Sequence, residues 1–190
     1  MMILVLAWSM SEISRDLQTA DFLIASLGDS LPAATLPTIV FVLAAFTAFS
    51  TGSSWGAMGI LLPLVLPLCW AVMSGQGLAT EGNYFILYAS VSGVLAGAVW
   101  GDHCSPISDT TVLSSLSAGC DHIEHVRTQL PYAILAGATA LGFGTLPISF
   151  GAPWWAGMLL AAAATALGLR LLGQPVEDYQ PHRTLSARRQ

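Results

Sequence analysis

The residues best able to do chemistry are concentrated in one polar segment, residues 101–111. It contains two carboxylates, an imidazole, a thiol and four hydroxyl groups, which are Asp102, Asp109, His103, Cys104, Ser105, Ser108, Thr110 and Thr111. An apolar run at residues 84–100 leads directly into it. Ionisable side chains at membrane depth are costly, so they face protein or water and usually serve a function. Because hard cations take oxygen ligands and carboxylates also take protons, the segment predicts a site for cations or protons.

The composition is that of an integral membrane protein. Of 190 residues, 54% are hydrophobic and 9% are charged, and the mean hydropathy is +0.68, which leaves too few charges for the surface of a soluble domain. Several apolar stretches are long enough to cross a bilayer as helices. We therefore predict an all-α polytopic membrane protein in the lipid bilayer, with about five transmembrane passes, two of them discontinuous helices. The scattered arginines and the absence of lysine predict no nucleic-acid partner.

Two helix breaks are predicted. The first is at residues 50–56, where glycines and hydroxyl residues interrupt an apolar passage, although small residues there could instead serve tight helix packing. The second is at residues 101–104. Ser105 followed by Pro106 resembles an N-cap with proline in the first turn, which predicts a short helix over residues 106–118 that ends at Gly119. We expect both breaks to be non-helical at membrane depth and to lie close together, because their free backbone groups need partners.

Polar side chains on the predicted short helix mark its buried face. Ser108, Thr111 and Ser115 lie at helical spacing and should face the protein interior. A charged linker follows at residues 121–127, and then a helical hairpin over residues 131–150 and 154–172. Residues 1–172 form the predicted membrane domain, and residues 173–190 form a polar cytoplasmic tail.

The arginine distribution predicts the orientation. Arg127 precedes the hairpin and the remaining arginines of this region follow it, at positions 170, 183, 188 and 189. Both ends should therefore be cytoplasmic, in a multi-pass protein of the cytoplasmic membrane. The loop at residues 75–83 then lies outside and residues near Pro32 lie inside. This order would put the two breaks on consecutive crossings of opposite direction, as in inverted-repeat transporters.

Two motifs resemble the NhaC-type Na⁺/H⁺ antiporter family. They are Phe-Ser-Thr-Gly-Ser-Ser-Trp-Gly at residues 49–56 and Gly-Asp-His-Cys-Ser-Pro-Ile-Ser-Asp-Thr-Thr at residues 101–111, with support from Leu6-Ala7-Trp8 and Thr19-Ala20-Asp21. The similarity runs to about residue 150, and it implies the C-terminal half of a longer transporter. It further implies exchange of cytoplasmic Na⁺ for outside protons, with no cofactor besides the transported ions. Some members of the family exchange organic acids or amino acids instead. The missing N-terminal half or a second copy of the chain are the expected partners.

The two carboxylates are expected to have different roles, although a structural cap or buried pair is the alternative. Asp109 lies in the first turn of the short helix, where the helix dipole favours a carboxylate that holds Na⁺. Asp102 follows a helix C-terminus and lies near Asp109, so it should hold either a proton or Na⁺. The two sites are coupled, and the reverse assignment remains open. The predicted ion and proton ligands around them are Ser105, Ser108, Thr110, Thr111, His103, Thr51, Ser53 and Ser54.

The remaining histidines allow other interpretations. His122 and His125 lie one helical turn apart and could sense pH, since histidine changes charge near neutrality; solvated histidines are the alternative. Together with His103, Cys104 and Cys120 they could indicate a membrane metalloenzyme, but no HExxH or paired CxxC element supports one, and we predict no enzyme. A non-transporting membrane subunit or a remnant of a split gene is a further possibility. Three cysteines, an odd number, predict no disulfide framework.

Overall fold

The computed structural model describes Val5, Ser9 and residues 12–13, 16–27 and 31–173, and every regular element in these ranges is helical. Among the described residues, five helical segments are long and apolar enough to cross a membrane. The prediction of an all-α polytopic membrane protein with about five passes is therefore confirmed. Leu6-Ala7-Trp8 of the N-terminal motif and residues 174–190 of the predicted tail lie outside the described residues.

Eight α-helices are present in the described residues. They are α1 (Thr19–Leu27), α2 (Leu36–Thr51), α3 (Ser54–Gly75), α4 (Tyr84–Cys104), α5 (Asp109–Ala118), α6 (His122–Thr139), α7 (Leu146–Ser149) and α8 (Trp154–Leu172). Short 3₁₀ turns at Ala33–Thr35 and Glu81–Asn83 precede α2 and α4, and a π-helical turn at Ala140–Thr145 joins α6 to α7. The candidate spans are α2, α3, α4, the continuous α6–α7 segment and α8.

The closest helix contact is between α2 and α4, and three glycines allow it. A Cβ atom added at Gly93, Gly97 or Gly101 of α4 would crowd the backbone oxygen of Pro37, Phe41 or Ala45 of α2, respectively. Because both series of numbers rise together, the two helices run parallel. Small residues at four-residue spacing let helix backbones approach closely without a hydrophobic driving force, which suits a helix pair in a bilayer.

Helix α3 runs back along this pair. Two buried apolar clusters hold α2, α3 and α4 together, one around Leu36 and Met73 and the other around Ala44, Ala57 and Val94. The first cluster joins the start of α2 to the end of α3, and the second joins the end of α2 to the start of α3. The two helices are therefore antiparallel.

A contact between the start of α2 and the end of α3 contradicts the predicted topology. Gln76, after α3, donates to the Leu31 carbonyl at 2.7 Å and accepts from the Ala33 N–H at 3.1 Å. Residues near Pro32 and the loop at residues 75–83 therefore lie at the same end of the helices, and the prediction of opposite sides is wrong. Residues 50–56 reverse the chain between two candidate spans. The two breaks consequently follow helices that run in the same direction, because α2 and α4 are parallel.

The predicted charged linker at residues 121–127 is helical. It forms the start of α6, where the Asp121 carboxylate accepts the Glu124 N–H at 3.0 Å and so caps the helix. An N-cap carboxylate satisfies an amide that has no partner in the first turn, which explains why a polar stretch begins a helix here. Pro131 lies inside α6 without ending it.

Helices α6 and α8 form the predicted hairpin, although the first helix begins earlier than expected. The Trp100 indole N–H donates to the Ala133 carbonyl at 2.7 Å and so ties α6 to α4. The hydroxyl groups of Thr139 and Thr165 lie 2.7 Å apart and link α6 to α8. Glycines again permit close contact, since a Cβ at Gly137 would collide with the Trp100 ring.

Candidate functional site

The second break lies four residues later than predicted. Helix α4 continues through Cys104, so the prediction that residues 101–104 are non-helical is wrong. Gly101 serves close packing against the Ala45 carbonyl, and it does not unwind the helix. The non-helical segment is residues 105–108, which we call the 105–108 loop. Ser108 is in an extended conformation at φ −65° and ψ 136°, so the short helix begins at Asp109 and not at Pro106.

Ser105 anchors this loop and does not cap a helix. Its hydroxyl donates to the Phe49 carbonyl at the end of α2 at 2.7 Å, and it accepts the Ile107 N–H at 3.4 Å. The side chain is fully buried. The Ser105 oxygen accepts from an amide in the loop and not from the first turn of α5, so the predicted capping role is wrong. The side chain instead joins the loop to the end of α2.

The first break is shorter than predicted. Helix α2 extends through Thr51 and α3 begins at Ser54, so only Gly52 and Ser53 are non-helical. Gly52 takes a left-handed conformation at φ 65°, which suits a residue without a Cβ atom. Its Cα faces the 105–108 loop, since a Cβ there would lie 2.8 Å from the Ile107 carbonyl oxygen. The two breaks therefore meet, as expected, but through the 105–108 loop and not through residues 101–104.

Asp102 is a buried carboxylate that bonds the loop through which the two breaks meet. It is 5% exposed, and its Oδ1 accepts a hydrogen bond from the Ser108 hydroxyl at 2.8 Å. Its Oδ2 accepts from the Thr110 hydroxyl at 3.2 Å, and the two hydroxyl oxygens lie 2.7 Å apart. Helix α4 thus supplies the carboxylate, while the loop and the first turn of α5 supply its donors.

The Asp102 carboxylate has no protein cation beside it in the part of the chain that the structure describes. Arg127 lies 3.9 Å from Glu124 on the surface, and Arg170 is exposed in the last turn of α8. Hydroxyl donors lower the cost of burying a carboxylate, but they do not neutralise its charge. A proton or a bound cation would complete this site.

The helix ends add to the electrostatics of the site. The carbonyl ends of α2 and α4 lie side by side because the helices are parallel, while the amide ends of α3 and α5 begin just beyond the two breaks. Carbonyl ends carry partial negative charge and favour cations, and amide ends favour anions. The two ends of each sign where the breaks meet resemble the helix ends that coordinate ions in transporters with broken helices.

Asp109 and His103 lie on the surface of this region. Asp109 is the first residue of α5, its side chain is exposed, and it makes no hydrogen bond or ion pair with the described residues. The His103 ring is also exposed, while its backbone carbonyl accepts from the Gln129 side chain on α6. Of the two predicted carboxylates, only Asp102 is enclosed within this chain.

The other predicted ligands have structural hydrogen bonds. The Thr51 hydroxyl is exposed and donates back to the Thr47 carbonyl at 2.9 Å, and Ser53 accepts the Gly56 N–H at 3.2 Å as the N-cap of α3. Ser54 is half-buried in the first turn of α3. Thr111 is buried with its carbonyl accepting from Ser115 at 2.9 Å. Of the predicted ligands, only Ser108 of the loop and Thr110 of α5 bond the Asp102 carboxylate within the described residues, while Ser105 joins the loop to α2.

The predicted polar stripe is buried, as expected. Ser108, Thr111 and Ser115 are each less than 5% exposed. Ser115 meets both histidines of α6, with its oxygen 3.0 Å from His122 Nδ1 and 2.8 Å from His125 Nδ1. The other ring nitrogen of His122 lies 2.7 Å from the Pro106 carbonyl oxygen. Both histidines are half-buried, and His122 contacts the 105–108 loop, whose Ser108 bonds Asp102.

Sequence reasoning missed three contributors to the site. Ser115 was visible only as part of the stripe, and the Gln129 side chain gave no signal because it lies in no recognisable motif. Phe49 begins the first motif, but its contribution comes from a backbone carbonyl, which the identity of the residue does not reveal. Cys69, Cys104 and Cys120 are free thiols, in keeping with the absence of a predicted disulfide framework. In the described ranges, no group of three or more His, Cys, Asp or Glu side chains converges on a metal-sized position.

Known proteins similar to this chain are transporters or uncharacterised. An uncharacterized protein of Haemophilus influenzae is 46% identical over 167 residues, which cover 88% of this chain and 29% of that protein. An uncharacterized Na⁺/H⁺ antiporter of the same organism is 34% identical over 54% of this chain and 20% of its own length. The malate-2H⁺/Na⁺-lactate antiporter of Bacillus subtilis is 31% identical over 58% of this chain and 21% of its own length.

The chain thus spans less than a third of the length of these relatives. No solved structure matches it significantly. The profile of the Na⁺/H⁺ antiporter family matches residues 1–148, which include both breaks, Asp102 and its hydroxyl donors. The resemblance to NhaC-type antiporters is therefore confirmed at the level of the family, and the chain belongs to the Na⁺/H⁺ antiporter family.

Proposed function

We propose that the chain is the C-terminal part of a secondary transporter that exchanges Na⁺ for H⁺ across the cytoplasmic membrane. The observation that carries this proposal is the environment of Asp102, a buried carboxylate with two hydroxyl donors and no protein cation among the described residues. Such a group needs one positive charge from beyond the described residues. Either a proton or Na⁺ supplies it, but one carboxylate does not hold both.

Binding of either a proton or Na⁺ at Asp102, but not both, is sufficient for coupled exchange. When Asp102 is protonated, the site is neutral and the oxygens of Ser108 and Thr110 have only each other and the carboxyl group as partners. When the proton leaves, the carboxylate and the same hydroxyl oxygens form an oxygen-rich site of the kind that hard cations prefer. The adjacent carbonyl ends of α2 and α4 lower the energy of a cation further.

Asp109 has a separate role in this proposal. It is exposed at the amide end of α5, where the helix dipole keeps a carboxylate favourable. We assign it to attracting Na⁺ toward the site, with His103, Thr51, Ser53, Ser54 and Thr111 as outer ligands. Because the chain spans less than a third of its relatives, the remaining part of the membrane domain or a second copy would cover this surface.

Exchange of an organic acid is a second candidate. One similar protein is named a malate-2H⁺/Na⁺-lactate antiporter, so a relative of this chain is described as moving carboxylic acids together with Na⁺. The amide ends of α3 and α5 could bind a substrate carboxylate beside the cation. Counterflow of labelled lactate or malate in vesicles would distinguish this activity from simple Na⁺/H⁺ exchange.

In this proposal, the positions of the arginines determine how the chain is oriented in the membrane. Arg127 near the start of α6 and Arg170 at the end of α8 lie at the same end of an antiparallel pair. Under the positive-inside rule that end is cytoplasmic, and it is also the end that carries the Asp102 site. The site would then load Na⁺ from the cytoplasm.

The decisive experiment measures Na⁺-driven proton movement in vesicles that contain the chain, with and without the rest of the membrane domain. Replacing Asp102 by Asn should abolish coupled exchange, because the amide is isosteric and keeps hydrogen bonds to Ser108 and Thr110 but carries no exchangeable charge. Asp109→Asn should mainly raise the Na⁺ concentration needed for half-maximal flux. Glu81→Gln, an exposed acidic residue at the opposite end of α4, is the matched control. Normal Na⁺-driven proton flux in Asp102→Asn would refute the assignment.

A further inference from the structure

We propose that His122 is a positioning residue that holds the 105–108 loop in place through the Pro106 carbonyl. We further propose that the strength of this hold depends on protonation, because His122 and His125 both contact Ser115. The effect on transport rests on the proposed function, whereas the hold itself rests on hydrogen-bond geometry alone. His122 reaches the Pro106 carbonyl with one ring nitrogen and the buried Ser115 hydroxyl with the other.

The partners of His122 determine where its ring carries hydrogen. A backbone carbonyl can only accept, so the 2.7 Å contact between Nε2 and the Pro106 oxygen requires a hydrogen on Nε2. In the neutral ring Nδ1 can then only accept, and the Ser115 hydroxyl at 3.0 Å is its donor. Ser115 has one hydrogen, so the His125 Nδ1 at 2.8 Å must carry its own hydrogen and donate to the same oxygen. The two neutral rings are therefore opposite tautomers.

Uptake of one proton needs only the rotation of a hydroxyl group. When His122 is protonated, its Nδ1 donates to Ser115, and the Ser115 hydrogen turns to the Thr111 carbonyl at 2.9 Å. Ser115 and both imidazoles keep partners in both states, while the Thr111 carbonyl accepts the Ser115 hydroxyl only in the protonated state. The bond from His122 to the Pro106 carbonyl becomes charge-assisted, and such bonds are roughly twice as strong as neutral ones. Protonation therefore tightens the hold of α6 on the loop.

Other charged groups surround this cluster but do not pair with it. The titratable or charged groups on the elements that carry or adjoin it are Asp102 and His103 on α4, Asp109 on α5, Cys120 in the connection, Asp121 at the N-cap of α6, and Glu124 and Arg127 on α6. Within the described residues, no ion pair involves either imidazole, and Arg127 is engaged with Glu124. A second proton would place two positive rings on one hydroxyl oxygen, which like-charge repulsion disfavours.

The loop transmits this hold to the candidate ion site. Pro106 lies between Ser105, which donates to the Phe49 carbonyl, and Ser108, which donates to Asp102 Oδ1 at 2.8 Å. A loop fixed at Pro106 keeps the Ser108 hydroxyl on the carboxylate. Protonation of His122 should consequently stabilise the arrangement in which Asp102 is engaged by Ser108, and deprotonation should loosen it.

The tautomers provide the first test. In the purified chain with ¹⁵N-labelled histidine in lipid nanodiscs, nitrogen spectra assigned through single His→Gln variants should show neutral His122 with hydrogen on Nε2 and neutral His125 with hydrogen on Nδ1. A neutral His122 with hydrogen on Nδ1 would overturn the proposal, because that ring could not donate to Pro106. This measurement needs no transport, so failure of the proposed function would not affect it.

The hold on the loop provides the second test, through the backbone amide exchange of Ser105, Ile107 and Ser108, corrected for intrinsic rates. His122→Ala should speed exchange about tenfold near pH 6, the loss expected for one hydrogen bond. His122→Gln should restore protection, since its side-chain amide can still donate, but the protection should no longer change with pH. Glu124→Gln, on the same helix and exposed, should behave as the wild type. Unchanged exchange in His122→Ala, or a wild-type pH dependence in His122→Gln, would contradict the proposal.

Discussion

Gly101→Ala tests whether the contact between α2 and α4 positions the site. A Cβ atom at Gly101 would overlap the Ala45 carbonyl oxygen, so the two helices must separate by about 1.5 Å to restore an ordinary contact distance. Overpacking of this kind costs about 1–3 kcal/mol. The Ser105 hydroxyl bridges the same two helices at 2.7 Å from the Phe49 carbonyl, and a separation of that size would break this hydrogen bond.

Loss of the Ser105 bond adds about 0.5–1.5 kcal/mol, so Gly101→Ala should lower the free energy of unfolding by about 2–4 kcal/mol. The assay is reversible unfolding in mixed detergent micelles, followed by tryptophan fluorescence. Gly75→Ala is the control, because a Cβ there meets no atom within 4 Å and alanine favours the helix. It should be neutral or slightly stabilising. If Gly101→Ala were as stable as Gly75→Ala, the tight α2–α4 contact and the placement of the loop that depends on it would both be refuted.

Two further predictions use the same unfolding assay. Trp100→Phe keeps an aromatic ring but removes the indole bond to the Ala133 carbonyl, so it should cost about 1 kcal/mol; an unchanged stability would mean that this bond does not hold α6 to α4. Ser53→Ala removes the N-cap that accepts the Gly56 N–H, and it should also cost about 1 kcal/mol, whereas Ser53→Asp should retain most of the stability because aspartate caps equally well. Equal losses in both Ser53 variants would argue against a capping role.

Composition and hydropathy determined the class of this protein. Apolar stretches of sufficient length in a chain with 9% charged residues have few stable solutions besides helices in a bilayer, and five such helices are present. The motif at residues 101–111 likewise identified the segment that contains the buried carboxylate. The sequence was also sufficient to locate the end of α5, since Gly119 ends this helix, as predicted, in a left-handed conformation at φ 63°.

The positions of the breaks depended on tertiary contacts. The polar run from Gly101 and the capping signal at Ser105 and Pro106 predicted an unwound segment at residues 101–104. In the fold, Gly93, Gly97 and Gly101 form one face of α4 that the α2 backbone covers, so the same residues support a continuous helix. Their four-residue spacing is a signal for close helix packing, but it does not indicate which helix is the partner.

The assignment of the site residues and the topology also required the tertiary structure. Whether Gly52 and Ser53 interrupt one crossing or reverse the chain depends on where the far ends of α2 and α3 lie, and the side chain of Gln76 joins those ends. Asp102 and Asp109 have the same side chain and lie in one motif, yet one is 5% exposed and the other faces outward. Sequence supplied the ionisable groups, and the packing of α4 against α2 decided which of them is removed from solvent.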